Sequence, residues 1–224
     1  RLFILDEGRY YDLPGGHQAG VNDLAFLEDG RQLLTGSSDC TASLWQVAGR
    51  NRVRSITPDK RDPFRIESLA ISPINARQFF SGARNGIYVM EGTETQSVWM
   101  PDVVYHDLAI APEGNALAAT GAASHIFTRI SENDPVSTPL ESVINGFTLA
   151  YTPDGRVLLI ADQAFLHIWD ASVNQKLAAL PLVHRSAPGH EPADLAIMPD
   201  GTLAALGSKD GLITIYAIES LTSE

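Results

Sequence analysis

Five times along the chain a leucine, an alanine and a large apolar residue return together, each time followed by a turn. The triplet reads Leu24-Ala25-Phe26 ahead of Asp29-Gly30, Leu69-Ala70-Ile71 ahead of Ser72-Pro73, and Leu108-Ala109-Ile110 ahead of Pro112-Glu113-Gly114. It reads Leu149-Ala150-Tyr151 ahead of Pro153-Asp154-Gly155, and Leu195-Ala196-Ile197 ahead of Pro199-Asp200-Gly201. The leucines are 45, 39, 41 and 46 residues apart. Large and small residues alternate within the triplet, which is the period of a strand whose successive side chains point to opposite faces. Short strands returning at this interval predict an all-β propeller of four-stranded antiparallel blades. Such blades pack face against face, and the slim alanine lets the bulky residues of a neighbour approach.

Each repeat has the same internal order. A second strand follows the first turn: Arg31 to Gly36, Arg77 to Gly82, Asn115 to Gly121, Arg156 to Ala161 and Thr202 to Gly207. A second tight turn, such as Ser38-Asp39, Asn85-Gly86 or Asp210-Gly211, leads to a third strand: Thr41 to Val47, Ile87 to Met90, His125 to Ile130, Phe165 to Asp170 and Leu212 to Ile218. A more variable fourth strand, for example Arg52 to Ile56 or Lys176 to Leu182, closes the unit. Ser131 to Pro139, with its Ser, Glu, Asn, Asp and two prolines, reads as a solvated loop. The repeats span residues 16–57, 58–101, 102–143, 144–182 and 183–224. Residues 1–15 read as the last two strands of a preceding blade. The fifth repeat shows no fourth strand after its third, and the expectation is a part of a roughly seven-bladed ring within a larger protein.

The bulk composition narrows the function. With 16 Lys and Arg against 27 Asp and Glu, the formal charge is −11. Phosphate-rich partners are bound by clustered cations, so nucleic acid is not expected. No apolar stretch is long enough to span a membrane, and no membrane partner is expected. The single cysteine, Cys40, excludes an internal disulfide or a thiolate metal cluster. This fits a reducing, cytoplasmic setting.

The first repeat carries more than its period. It runs Gly16-His17, Leu24-Ala25-Phe26, Asp29-Gly30, then Thr35-Gly36-Ser37-Ser38-Asp39 and Leu44-Trp45, while the fourth repeat holds Trp169-Asp170 and the fifth Gly189-His190. These residues resemble the WD40-repeat β-propeller family. The resemblance implies a structural hydrogen-bond network of His17, Thr35, Asp39 and Trp45. The chemistry is consistent with that: an indole donates only, a carboxylate accepts only, and an imidazole does either. Repeat 2 offers Ser81 and Asn85 without His or Trp, and repeats 3 and 4 lack Gly-His, so those blades are expected to rely on apolar packing.

The family resemblance implies a rigid scaffold that presents loops to protein or peptide partners, without catalytic residues, metal or cofactor. It places the candidate partner-binding face at Asn22, Ser38, Glu67, Arg84, His106 and Lys209. Other roles are weaker. His17 beside Asp39 and Thr35 fits a structural net better than a catalytic triad. His184, His190, Glu191 and Asp194 match no zinc spacing. The alternative is a propeller enzyme or metal-binding protein that uses Asp23, Glu67, Asp107 and Asp194 near a central channel.

Overall fold

The computed structural model describes residues 2–4, 8–27, 30–75, 77–82, 86–92, 94–132, 134–143, 145–182 and 191–218. Every regular element among them is a strand, and none is a helix long and apolar enough to cross a membrane. The chain divides into two compact units, Arg1–Trp99 and Met100–Glu224.

In the first unit β1 (Leu2–Ile4) and β2 (Arg9–Tyr11) form an antiparallel pair, where the sequence places two strands of a preceding blade. One blade follows from β3 (Val21–Phe26), β4 (Gln32–Ser37), β5 (Ala42–Gln46) and β6 (Asn51–Ile56). The next consists of β7 (Ile66–Ile71), β8 (Gln78–Gly82), β9 (Ile87–Glu91) and β10 (Glu94–Trp99). The second unit holds β11 (Tyr105–Ile110), β12 (Ala116–Gly121), β13 (His125–Thr128) and β14 (Val136–Pro139) as its first blade. Its second blade is β15 (Thr148–Tyr151), β16 (Val157–Ala161), β17 (Phe165–Asp170) and β18 (Gln175–Pro181). A three-stranded sheet of β19 (Pro192–Ile197), β20 (Leu203–Ser208) and β21 (Ile213–Ala217) completes the described residues. The order is sequential and antiparallel throughout, which is the blade of a β-propeller.

One expectation is corrected here. Residues 136–139 are not loop: Val136 to Pro139 pair with β13 and form the fourth strand of that blade. A polar, proline-bounded segment is tolerated because this strand is the outermost of its sheet and mostly exposed. The stretch 183–190, expected as a long connection, and residues 220–224 lie outside the described residues.

The tight turns after the first strands carry the predicted glycines. Gly30, Gly114, Gly155 and Gly201 all have φ between 64° and 73°, the left-handed region that glycine enters without a Cβ clash.

The triplets pack as their alternation requires. Leu69 pairs across the sheet with Phe80, and Phe80 with Tyr88. That face meets Leu34, Ala42, Leu44 and Ile56 of the blade before it. Likewise Leu149, Leu158, Ile160 and Trp169 meet Ala118 and Ile126, and Leu195, Ala204 and Leu206 meet Leu159, Ala161 and Ile168. In these three triplets, at Leu69, Leu149 and Leu195, the large residue looks back at the preceding blade. The rule also shows where no neighbour covers a face. Leu24 and Phe26 of β3 are 54% and 55% exposed, and Ile213 and Ile215 of β21 are 67% and 58% exposed.

Four of the five first strands carry a β-bulge. The register slips between Val21 and Asp23, Ile66 and Ser68, Tyr105 and Asp107, and Pro192 and Asp194. Each slip skips one residue in the register: Asn22, Glu67, His106 and Ala193. Glycine ends the opposing strand for a reason of space. A Cβ on Gly82 would lie 2.0 Å from the Arg65 carbonyl oxygen, and one on Gly121 2.3 Å from that of Val104. The blade with Ala161 in this region runs from Thr148 to Tyr151 in unbroken register.

Candidate functional site

The polar network predicted for the first repeat forms in full. Trp45 Nε1 donates to Thr35 Oγ1 at 2.9 Å, and Thr35 Oγ1 lies 2.8 Å from His17 Nε2. His17 Nδ1 lies 3.0 Å from Asp39 Oδ2. A carboxylate can only accept, so Nδ1–H donates to Asp39 and Nε2 accepts the Thr35 hydroxyl proton. The chain of contacts runs Trp45, Thr35, His17, Asp39. Asp39 also accepts the Gln18 amide at 2.8 Å, the Thr41 amide at 3.0 Å and the Thr41 hydroxyl at 2.6 Å. Burial works against the charge on Asp39, but these hydrogen bonds, led by the Thr41 hydroxyl, outweigh it and bring its pKa to about 2. The network ties the entry segment at residues 16–18 to the turn at 37–41.

The other blades build their polar contacts differently, which corrects the expectation of purely apolar packing. In the β11–β14 blade the buried Tyr105 hydroxyl lies 2.8 Å from His125 Nδ1. Burial pushes the tyrosine pKa up and the histidine pKa down, so a neutral imidazole accepts the phenol proton. In the β15–β18 blade His167 Nε2 meets Asp162 Oδ2 at 2.7 Å. Asp162 Oδ1 accepts the Ala164 and Phe165 amides, both at 2.7 Å. Trp169, the tryptophan of the Trp-Asp pair, is buried, and among the described residues no acceptor meets its Nε1. In the β7–β10 blade Ser81 is not the counterpart of Thr35. Phe80 stands opposite Leu69 as Thr35 stands opposite Leu24, so Ser81 falls one residue on and faces the other way.

The candidate partner-binding residues sit at the bulges and turns. Asn22, Glu67 and His106 are the bulged residues of their first strands, and a bulge re-aims its side chain out of the pleat. In the first unit, Asn22 Nδ2 donates to Ser38 Oγ at 2.9 Å and to the Ile66 carbonyl at 2.6 Å. This gathers Asn22, Ser38 and Glu67 at one loop end, where Glu67 also pairs with Arg65. Arg84, with Asn85, lies outside the described residues. In the second unit His106 is exposed. Lys209 donates to Glu191 Oε2 at 2.6 Å, with its ammonium 6.0 Å from the centre of the Phe147 ring. His184 and His190 also lie outside the described residues.

The acids weighed for a cation have other partners. Asp23 Oδ2 accepts the Leu69 amide at 2.8 Å and the Ser68 hydroxyl at 2.9 Å, both on the next blade, while Oδ1 accepts the Leu24 amide at 2.7 Å. Asp107 does the same with Leu149 at 3.0 Å and Leu108 at 2.9 Å. Asp194 accepts the Leu195 amide at 2.8 Å. Asp23 and Asp107 thus fasten the start of one blade to the next. Among the described residues no group of three His, Cys, Asp or Glu side chains could hold a metal ion. Sequence reasoning missed this clamp, although the recurring Asp-Leu-Ala of three repeats was its visible sign.

Comparison with known proteins agrees with this geometry. The family described as WD domain, G-beta repeat matches residues 10–46, which enclose the whole His17–Thr35–Asp39–Trp45 network. The chain is similar to the guanine nucleotide-binding protein subunit beta of Schizosaccharomyces pombe, with 25% identity over 212 residues, 90% of this chain and 65% of that protein. It thus spans just under two thirds of the length of this curated relative. Five recurrent sheets, the tryptophan-to-aspartate chain and both likenesses lead to one conclusion: the chain folds as β-propeller blades, with a WD40 repeat at residues 10–46, and resembles the WD40-repeat β-propeller family.

Proposed function

We propose that the chain is a non-catalytic interaction scaffold or sensor domain that presents its blade-end loops to a protein or peptide partner. The observation that carries this reading is the placement of Asn22, Glu67 and His106 at β-bulges on packed four-stranded blades. Side chains lifted from a stiff frame lose little freedom on binding, which is how loops on a scaffold recognise partners. The similar Schizosaccharomyces pombe protein is by name one subunit of an assembly, which favours a partner-binding role here. The closed partner sets of His17 and Asp39, and of Asp23 and Asp107, disfavour the enzyme and cation-channel readings. A cytoplasmic setting fits the single cysteine, and the proposed partner is another protein rather than nucleic acid or membrane.

The test is affinity capture with the purified chain, comparing wild type with Glu67→Arg and Lys209→Glu. The same protein should be recovered by wild type and depleted at least about fivefold by one of the two variants, with unchanged melting temperatures, because reversing a rim charge penalises docking. Equal recovery by all three, or small-molecule turnover by the isolated chain, refutes the reading.

A further inference from the structure

A cavity of about 480 Å³ opens in the first unit between the 57–61 segment and β10. That size lies within the range of ligand clefts. Its lining includes Lys60, Arg61, Tyr88, Glu94, Thr95 and Val98. The walls are braced. Asp59 Oδ1 accepts the Arg61 and Asp62 amides at 2.9 and 3.2 Å, and the Thr95 hydroxyl donates to the Pro58 carbonyl. Lys60 reaches Glu94 at 3.3 Å, both side chains being largely exposed.

The remaining polar capacity is of one kind. Tyr88 is 7% exposed, stacks on Phe64 and lines the cavity. Among the described residues no hydrogen bond reaches its hydroxyl, and none reaches the Arg61 guanidinium. Arg54 stands opposite Leu44 on β5, so it faces the same inter-blade space, and its Nε is buried without a partner. These are donors that lack an acceptor. Six of the sixteen Lys and Arg residues of the chain fall within residues 50–65, against two carboxylates, Asp59 and Asp62. In a chain of net charge −11 this is a local reversal of sign, suited to an anionic group.

We infer that this cavity is a docking groove for an extended acidic segment of a partner protein, with a carboxylate seated on Arg61 and the Tyr88 hydroxyl. β10 is the outermost strand of its sheet, so its free edge offers backbone groups to an extended peptide. The exposed Val98 supplies an apolar contact beside it. Asp59 and Glu94 in the same wall repel a densely charged polyanion, which favours isolated carboxylates over phosphate. The inference rests on the scaffold reading and adds a partner chemistry at a surface separate from the bulge residues.

Calorimetric titration of the whole chain tests it, using a short acetylated and amidated peptide of alternating Glu and Leu. Its Gln-for-Glu counterpart and inorganic phosphate serve as the other arms. The Glu peptide should bind, and the Gln peptide should bind at least about tenfold more weakly, because charge-assisted hydrogen bonds are lost. Arg61→Glu, on an exposed loop, should weaken the Glu peptide about tenfold or more, and Tyr88→Phe, which removes only the hydroxyl, about threefold or more. Glu67→Arg should leave this affinity unchanged, so a failed bulge surface and a failed groove give different results. Absence of binding by the Glu peptide, equal affinity in Arg61→Glu and Tyr88→Phe, or displacement of the peptide by inorganic phosphate would overturn the inference.

Discussion

Thr35 is the hinge of the buried network, because one hydroxyl oxygen accepts from Trp45 and faces His17. Thr35→Val keeps the shape and strands both partners. It should cost about 1–3 kcal/mol in urea unfolding, whereas a solvent-facing Thr→Val change is near neutral. Cys40 sits at φ 69°, where Gly86 and Gly211 stand at 92° and 88° after their own turn residues. A side chain in that region is strained, so Cys40→Gly should raise stability by up to about 1 kcal/mol in the same assay. Acid should act in two stages. His125 has its pKa held below 6.5 by burial, so it stays neutral in the fold while the unfolded chain takes up a proton. Its contribution is present above pH 6.5 and falls away as the pH drops through that value. The hydrogen-bonded Asp39, with its pKa near 2 against an ordinary 3.8, contributes above pH 3.8 and is lost between there and about 2. His125→Gln should flatten the first stage of a pH–stability curve and Asp39→Asn the second.

At the level of strands, the bulge and its glycine form one device. Gly121→Ala would place a methyl 2.3 Å from the Val104 carbonyl oxygen and 2.7 Å from Tyr105 Cα. The backbone must yield, and the loss should exceed about 2 kcal/mol by denaturant titration. Ala161→Gly, in the blade with no bulge, should cost only about 0.5–1 kcal/mol through chain entropy. This contrast also shows what was legible. The Leu-Ala triplets and the positive-φ glycines could be read from the sequence, because each depends on residues at fixed local offsets, and the His17–Trp45 network was implied by the family resemblance. The bulges could not, since a one-residue slip in pairing leaves composition unchanged. Ser81, 12 residues after Leu69 where Thr35 is 11 after Leu24, is one position out of step with Thr35. The Tyr105–His125 and Asp162–His167 pairs were hidden because each is particular to its blade and repeats nowhere else. Val136 to Pro139 was hidden because an outer strand needs no apolar pattern.

Across the whole chain, the same substitution should have very different costs according to which face it meets. Leu69, 4% exposed against the preceding blade, should lose about 2–5 kcal/mol on truncation to alanine. Leu24, the same residue of the same triplet, is 54% exposed and should lose less than about 0.5 kcal/mol. Parallel melting curves for the two variants check this. Charge is likewise uneven along the chain, so the overall acidity describes solubility better than it describes any one surface.

Within each unit the large residues at the start of one blade seat against the forward face of the blade before it, as a plug meets a socket. A duplicated module can be spliced in anywhere in the series and find both its contacts already made, provided it enters the right way round. An array built on that grammar can lengthen by copying alone, leaving each loop end free to acquire its own specificity.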